Sequence, residues 1–459
     1  MQIRWVAEAV QGELLCPPRG GERRALKHVR TDSREVEDSD LFVALRGDRF
    51  DGHDYVAESF RRGAGAVLVE RSPSPDAIDA GTSGAFIRVK DTARALRDLG
   101  AAWRRAMPAT VIGITGSCGK TSTKNILRHV LEGGLSTTAS DRSFNNDIGV
   151  PLTLLKIEPS TQAAVVEIGT NGPGEIERLT RLAAPTIGVV TNVFETHLEG
   201  LGSLDGVANE KANLLRLLPK DGLAVLNRDC PRSAWLRSQT ETRVVTVGLS
   251  DGADYRAEEV SFSALGTSFR FRGHAITIPL TGTHFVHNVL FAMAVAEHLG
   301  LELEAVAERL REIPITPRRM ERKSFGSLEV IDDSYNASPA SVRAALRAVK
   351  GLNGGRRSVI VLGDMLELGE QSAALHESLG AEVAAEGFDL VVTVGAHSRA
   401  IERAVVARGG AARHFEAVPE LLANLGALVQ PRDRVLVKGS NALGLDRVVR
   451  DLSQIGEQL

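Results

Sequence analysis

The chain has 459 residues, with 55 Lys and Arg against 58 Asp and Glu, 43% hydrophobic residues and 25% charged ones. These proportions exclude a disordered or collagen-like chain and fit a globular protein of two to four domains, at roughly 150 residues each, with three as the expectation. A net charge of −3 and 4% aromatic residues leave no basic footprint for nucleic acid, and three scattered cysteines indicate neither a disulfide framework nor a zinc site.

The N-terminus places charges where a signal peptide needs an apolar core, and no run approaches the roughly 18 apolar residues of a membrane span. A reducing cytoplasm is therefore expected. Residues 1–90 read as a small α/β unit, with buried strands at 41–45 and 66–69 and a loop at Arg71-Ser72-Pro73-Ser74-Pro75. Asp91-Thr92 caps a helix whose Leu96, Leu99 and Trp103 share one face.

From about 109 to 313 the pattern is strand, turn, helix. Continuous apolar runs at 110–115, 163–168, 186–191 and 223–226 have the character of fully buried parallel strands, which predicts a doubly wound sheet. Pro314 and Pro317 close the helix predicted over 302–312. A second α/β pattern runs from about 318 to 459, with strands at 328–331, 358–362, 390–394 and 434–437. The predicted fold is thus α/β in three domains: 1–90, 91–313 and 314–459.

The sharpest chemical signal is Gly116-Ser117-Cys118-Gly119-Lys120-Thr121, between a buried strand and a helix. Glycines let backbone N–H groups close on phosphate oxygens, the helix N-terminus adds partial positive charge, Lys120 neutralises phosphate, and the Thr121 hydroxyl suits Mg²⁺. Glu167 and His197, at or just past the ends of strands, are the candidate metal ligands, against the plainer readings of a paired carboxylate and a surface histidine. Lys211, in a helical stretch, reads on its own chemistry as a solvated charge. His284 and Asn288 share a face at the start of an apolar helix and serve equally as ligand contacts or as cap and packing. Thr31-Asp32-Ser33-Arg34 and the segment from Arg46-Gly47 to His53 are solvated turns by default. Asp333-Ser334-Tyr335-Asn336 follows a strand and opens a helix, as turn and cap residues or as a loop that holds a second substrate.

Together these segments resemble the ATP-dependent Mur ligases of peptidoglycan precursor synthesis, over nearly the whole chain. The resemblance is carried by Thr31 to Arg34, Leu41 to Gly47, Gly113 to Thr121, Ser143-Phe144-Asn145-Asn146-Asp147-Ile148-Gly149-Val150-Pro151 and His197 to Gly200. It continues through Gly282 to Asn288, Asp333 to Pro339, Leu362 to Gly369 and Lys438 to Asn441. The segments at 145–151, 335–339 and 363–369 point to the branch that adds D-alanyl-D-alanine to UDP-N-acetylmuramoyl-tripeptide.

The resemblance implies an N-terminal UDP-sugar domain, a central P-loop ATPase with a doubly wound, mostly parallel sheet, and a Rossmann-like C-terminal domain that closes over both. It implies nucleotide contacts by Gly116 to Ser122, His284, Asn288, Arg319 and Asp333. Two Mg²⁺ ions are expected on Thr121, Glu167, His197 and Lys211, the last as a carbamylated lysine, and Lys120, His197 and Lys211 are the expected catalytic set. Substrate contacts are expected from Thr31, Asp32, Ser33, Arg34, Arg46, Gly47, Asn145, Asn146, Tyr335 and Asn336, in a monomeric cytoplasmic enzyme. The chain departs from the family at Cys118, where Asn is usual. It also lacks the Asp-Asn-Pro-Arg motif of the diaminopimelate-adding relative. Another amino-acid-adding Mur ligase, a folate-type polyglutamate ligase and a non-catalytic nucleotide module stand as alternatives.

Overall fold

The computed structural model describes residues 1–16, 21, 23–72, 74–80, 84–263, 265–352 and 354–459; Pro73, in the loop read at 71–75, lies outside them. They gather into two compact units. One comprises Met1–Gly113, Leu135–Gly169 and Glu177–Thr186, the other Ile114–Gly134, Thr170–Ile176 and Ile187–Leu459.

The first unit opens with β1 (Glu13–Cys16), β2 (Val29–Arg30), β3 (Leu41–Val43), β4 (Ala66–Val69) and β5 (Ala85–Arg88), in the sheet order β1-β5-β4-β3-β2. β1 runs antiparallel to β5 and the rest are parallel. Side chains alternate across a strand, and both faces are covered here. Leu41, Val43, Leu68 and Ile87 pack with Leu96 and Leu99 of the helix Thr92–Ala106, whereas Phe42, Val67 and Phe86 pack with Phe60 on the other face. The predicted cap is present: Arg94 N–H donates to the Asp91 carboxylate at 2.8 Å. Trp103, further along this helix, donates its ring N–H to Ile157 O.

A seven-stranded sheet contains β6 (Thr110–Thr115), β7 (Thr137–Ala139), β8 (Ala163–Glu167), β9 (Ile187–Val190), β10 (Leu223–Asn227), β11 (Arg243–Gly248) and β12 (Tyr255–Arg256), in the order β12-β11-β10-β9-β6-β8-β7. The chain leaves β6 for one side of the sheet and later returns to its other side at β9. The crevice at the carboxyl ends of β6 and β9 is thus a topological switch point, where open α/β sheets bind ligands.

A meander of β13 (Glu258–Ser263), β14 (Gly266–Phe271) and β15 (His274–Ile278) follows; it was not among the expected strands. The six-stranded C-terminal sheet has the order β16-β17-β21-β18-β19-β20, from β16 (Glu321–Phe325), β17 (Leu328–Asp333), β18 (Ser358–Gly363), β19 (Leu390–Val394), β20 (Ala412–Phe415) and β21 (Arg434–Lys438). Only β16 is antiparallel to its neighbour. Val359, Val361, Val392, Val435 and Val437 meet Leu421, Leu425 and Leu452 in its core. Among the described residues no helix is long and apolar enough to cross a membrane.

Candidate active site

β6 is buried from Val111 onward and delivers the chain into a loop shaped by two glycines in positive-φ backbone, Gly116 at 146° and Gly119 at 85°. A Cβ on Gly116 would stand 1.9 Å from Thr191 Oγ1, and one on Gly119 would stand 2.9 Å from Asn288 Oδ1. Only glycine satisfies both conformation and space here. The residues after β9 brace the loop: Ser117 N–H donates to Asn192 O at 3.1 Å, Cys118 N–H to Asn192 Oδ1 at 2.9 Å, and the Thr191 hydroxyl to Cys118 O at 2.6 Å. The helix Lys120–Leu131 starts at once, so its first N–H groups point out of a rigid turn. Lys120 Nζ donates to Gly116 O at 2.7 Å and so arches over the loop.

The C-terminal sheet meets this loop from β16 and β17. Arg319 donates to the Thr121 hydroxyl at 3.0 Å and its guanidinium lies 4.2 Å from the centre of the Tyr335 ring. Its neighbours Arg318 and Met320 both have positive φ, 60° and 53°, a conformation that side chains adopt at a cost of about 1–3 kcal/mol each. Arg318 is held by Ser334, through Nε to the hydroxyl and a terminal N–H to the carbonyl, and Met320 N–H donates to Asp333 Oδ1. Lys438, buried at the end of β21, donates to Asp333 Oδ2 at 2.6 Å and to Asn336 O at 2.9 Å. Burial pushes the Asp333 carboxyl up, against the pull of Lys438. Cys118 Sγ lies 3.2 Å from Ser338 Oγ, which also caps the helix Pro339–Gly351.

His284 and Asn288 lie one turn apart on the helix Thr283–His298. The Asn288 carbonyl accepts from the Thr123 hydroxyl at 3.1 Å, while its Nδ2 and the Nδ1 of His284 are buried without a protein partner. Burial, with the Lys438 charge second, lowers the His284 pKa to about 3, so the ring is neutral. Buried polar atoms left unmatched by protein call for a partner. His287 is spent differently, its Nε2 2.6 Å from Asp229.

Lys211 overturns the reading of a solvated charge: it is 1% exposed on the helix Leu204–Arg216. Burial, reinforced by the Lys120 charge, lowers its pKa from 10.5 to about 7. Its neighbour Glu210 is committed to structure, accepting from the N–H groups of Gly174 and Ile176. His197 sits in left-handed backbone at φ 54° before the short helix Leu198–Leu201, with Nδ1 2.5 Å from Glu367 Oε2. The ring holds the Glu367 carboxyl below the usual range.

In the first unit Glu167 ends β8 and is 1% exposed; Asn145 Nδ2 donates to its Oε1 at 2.9 Å. Asn146 accepts from the N–H groups of Ile148 and Gly149, just ahead of the helix Gly149–Leu154. Asp32 accepts from the N–H of Arg34 and pairs with its guanidinium, which lowers the Asp32 pKa to about 2. Thr31 and Ser33 are partly exposed beside this pair. Arg46, before Gly47, is 3.2 Å from Glu70. Among the described residues no group of three or more His, Cys, Asp or Glu side chains is gathered as metal ligands.

Three family models match the chain: a Mur ligase family catalytic domain over residues 25–104, a Mur ligase middle domain over 114–296 and a Mur ligase glutamate ligase domain over 318–441. The UDP-N-acetylmuramoyl-tripeptide--D-alanyl-D-alanine ligase of Bacillus subtilis is 36% identical, across 98% of both chains. The chain belongs to the Mur ligase family. Among solved structures, a MurF crystal structure from Acinetobacter baumannii superposes with a TM-score of 0.88 at 30% identity, over 99% of this chain and 98% of that one. A MurF ligase from Thermotoga maritima in complex with ADP gives 0.81 at 25% identity, over 94% and 98%.

The second unit brings together Gly116 to Thr121 with Asn288, Arg319, Tyr335 and, across the Cys118 contact with Ser338, the segment that contains Asn336. Three participants were given no role from sequence, although two of them fall in segments that carried the resemblance: Asn192, which braces the loop, Lys438, which anchors Asp333, and Glu367, which touches His197. Lys438 carried a usable signal, a lysine closing the buried run Val435-Leu436-Val437.

Proposed function

We propose that this Mur ligase joins D-alanyl-D-alanine to UDP-N-acetylmuramoyl-tripeptide, with ATP as the energy source, to give UDP-N-acetylmuramoyl-pentapeptide, ADP and phosphate. The observation that carries this reading is the glycine-shaped loop at 116–121, met by Arg319, in a chain similar over almost its whole length to ligases of that name. The domains would divide at 1–90 for the UDP-sugar, 91–313 for ATP and 314–459 for closure over the nucleotide, in a cytoplasmic monomer.

In this reading ATP phosphorylates the terminal carboxylate of the tripeptide, giving an acyl phosphate and ADP. The amine of D-alanyl-D-alanine attacks the acyl carbon, phosphate leaves, and the amine proton passes to solvent or a nearby base. Gly116 to Ser122 hold the phosphates, with Lys120 and Arg319 offsetting charge on the transferring group. His284 and Asn288 offer their unmatched atoms to the base. Tyr335 and Asn336, with Asn145, Asn146, Thr31 to Arg34, Arg46 and Gly47 in the first unit, are the proposed substrate contacts.

The donor chemistry suits Mg²⁺: the Thr121 hydroxyl and Glu167 carboxylate are hard oxygen ligands, with His197 as a nitrogen ligand. Lys211 fits only after modification. An ammonium cannot ligate a cation, but an amine with a pKa of about 7 is neutral often enough to add CO₂, and the carbamate presents two oxygens. When bound, two Mg²⁺ ions would neutralise charge on the phosphoryl oxygens.

The test is phosphate release from ATP with UDP-N-acetylmuramoyl-tripeptide, comparing D-alanyl-D-alanine, single amino acids and no amine, with product mass determined. Release dependent on D-alanyl-D-alanine, with a pentapeptide product, is expected. Release with a different amine would move the chain to a sister ligase, and none with any amine would reject the ligase reading.

A further inference from the structure

The segment Asp364–Gly369 leaves β18 and carries Glu367 to His197. It is built as a rigid arm. Leu366 N–H donates to Ser440 Oγ at 2.9 Å, and Met365 N–H donates to Nε2 of the fully buried His376 at 3.0 Å, whose Nδ1 in turn lies 2.7 Å from Ser372 O. At the arm's base the Asp364 carboxylate accepts from the N–H groups of His397 and Ser398. At its tip Glu199 N–H donates to Glu367 O at 3.2 Å, so the arm is seated on the short helix that His197 precedes.

Both facing residues are in left-handed backbone without being glycine, His197 at φ 54° and Glu367 at φ 63°. Strain of this kind persists where surrounding contacts over-determine it, and it clusters at functional sites. The Glu367 side chain is 53% exposed, so hydrophobic packing does not hold it there; its carboxylate is 2.5 Å from His197 Nδ1, a contact that is not aligned as a hydrogen bond. A carboxylate can only accept. At that distance a bare Nδ1 lone pair would be repelled, so the neighbour selects the form with the proton on Nδ1 and leaves the lone pair on Nε2.

We propose that Glu367 is a positioning residue for the ligation: from the C-terminal domain it fixes the orientation and tautomer of His197, so that this histidine is competent only when the arm is seated. The inference rests on the ligase reading for its kinetic arm and on the geometry alone for its spectroscopic one. Carboxylate partners that orient a ligating histidine typically contribute 10–100-fold.

The experiment compares wild type with Glu367→Ala and Glu367→Gln in three measurements. Imidazole ¹⁵N shifts of His197, assigned with His197→Gln and recorded on metal-free enzyme, should show the Nδ1–H form in wild type and a shift toward Nε2–H in Glu367→Ala. Hydrogen exchange at the Glu199 amide should be unchanged in both variants, since its acceptor is the main chain. The kcat should fall 10–100-fold in Glu367→Ala with KM for ATP within twofold, and Glu367→Gln, whose amide oxygen still accepts, should recover most of it. An unchanged tautomer, an unchanged kcat, or loss of Glu199 protection in Glu367→Ala would each overturn the proposal, the last by reducing Glu367 to a docking contact. Wild-type enzyme that makes no pentapeptide would refute the ligase reading alone, and the tautomer measurement would still decide the role of Glu367.

Discussion

At the residue scale the candidate site is a collection of charges placed where folding disfavours them. Lys211 shows this best. Its pKa of about 7 in the folded chain lies below the 10.5 of the unfolded one, so between those values the unfolded state holds a proton that the folded state does not. Stability therefore rises with pH across that window, and the penalty is fully present below pH 7. Lys211→Met should raise the unfolding free energy at pH 7 in CO₂-free buffer by on the order of 3–5 kcal/mol, shrinking toward zero near pH 10.5, while activity is lost. Urea titrations at the two pH values check it; an equally destabilised variant at both would show that Lys211 carries no burial penalty. Lys120 is a contrasting case, because its partner Gly116 O is replaceable by phosphate. Lys120→Ala should lower kcat by 10²–10³, about 3–4 kcal/mol of transition-state stabilisation, with little change in melting temperature. Near-normal turnover would sink the assignment of the loop.

Elements explain what could be read from the chain and what could not. The loop at 116–121 was legible because its requirements are local: a buried strand, glycines at positive φ and a helix within a few residues. Buried strands such as β6 and β19 were legible as apolar runs for the same reason. The meander β13–β15 was not, since β13 alternates exposed and half-buried positions and offers no apolar run. Nor could local pattern pair Lys438 with Asp333, or Glu367 with His197, because those contacts are made by sheet order rather than by spacing in the chain. The helix Pro339–Gly351 allows a local device to be tested where it borders the site. Its capping box has Ser341 N–H donating to Ser338 Oγ and Ser338 N–H donating to Ser341 Oγ. Ser338→Ala should cost about 1 kcal/mol in chemical denaturation, and Ser338→Gly only a few tenths. Equal losses in both would assign the effect to the Cys118 contact instead of the cap.

For the whole molecule, the question is how a nucleotide enters a site that the C-terminal domain already covers. Inside the second unit that domain meets the central one near the loop through a few polar contacts: Arg319 on Thr121, Thr316 on Asn125, Ser338 beside Cys118 and Glu367 beside His197. Contacts of this kind are individually weak, and the two prolines at 314 and 317 mark the connecting segment, so opening and closing is the physical expectation. Chemistry demands the closed form, because an acyl phosphate left in open water is hydrolysed. The native thiol supplies a direct test. Cys118 Sγ and Ser338 Oγ are 3.2 Å apart, near enough for Ser338→Cys to form a disulfide with modest adjustment. Oxidised Ser338→Cys without ligand should scatter X-rays in solution as wild type does with nucleotide and tripeptide, and reduction should return it to the more extended profile of ligand-free wild type. Identical profiles for ligand-free and fully liganded wild type would show that the covered arrangement is permanent, and nucleotide would then have to enter without any movement of the C-terminal domain.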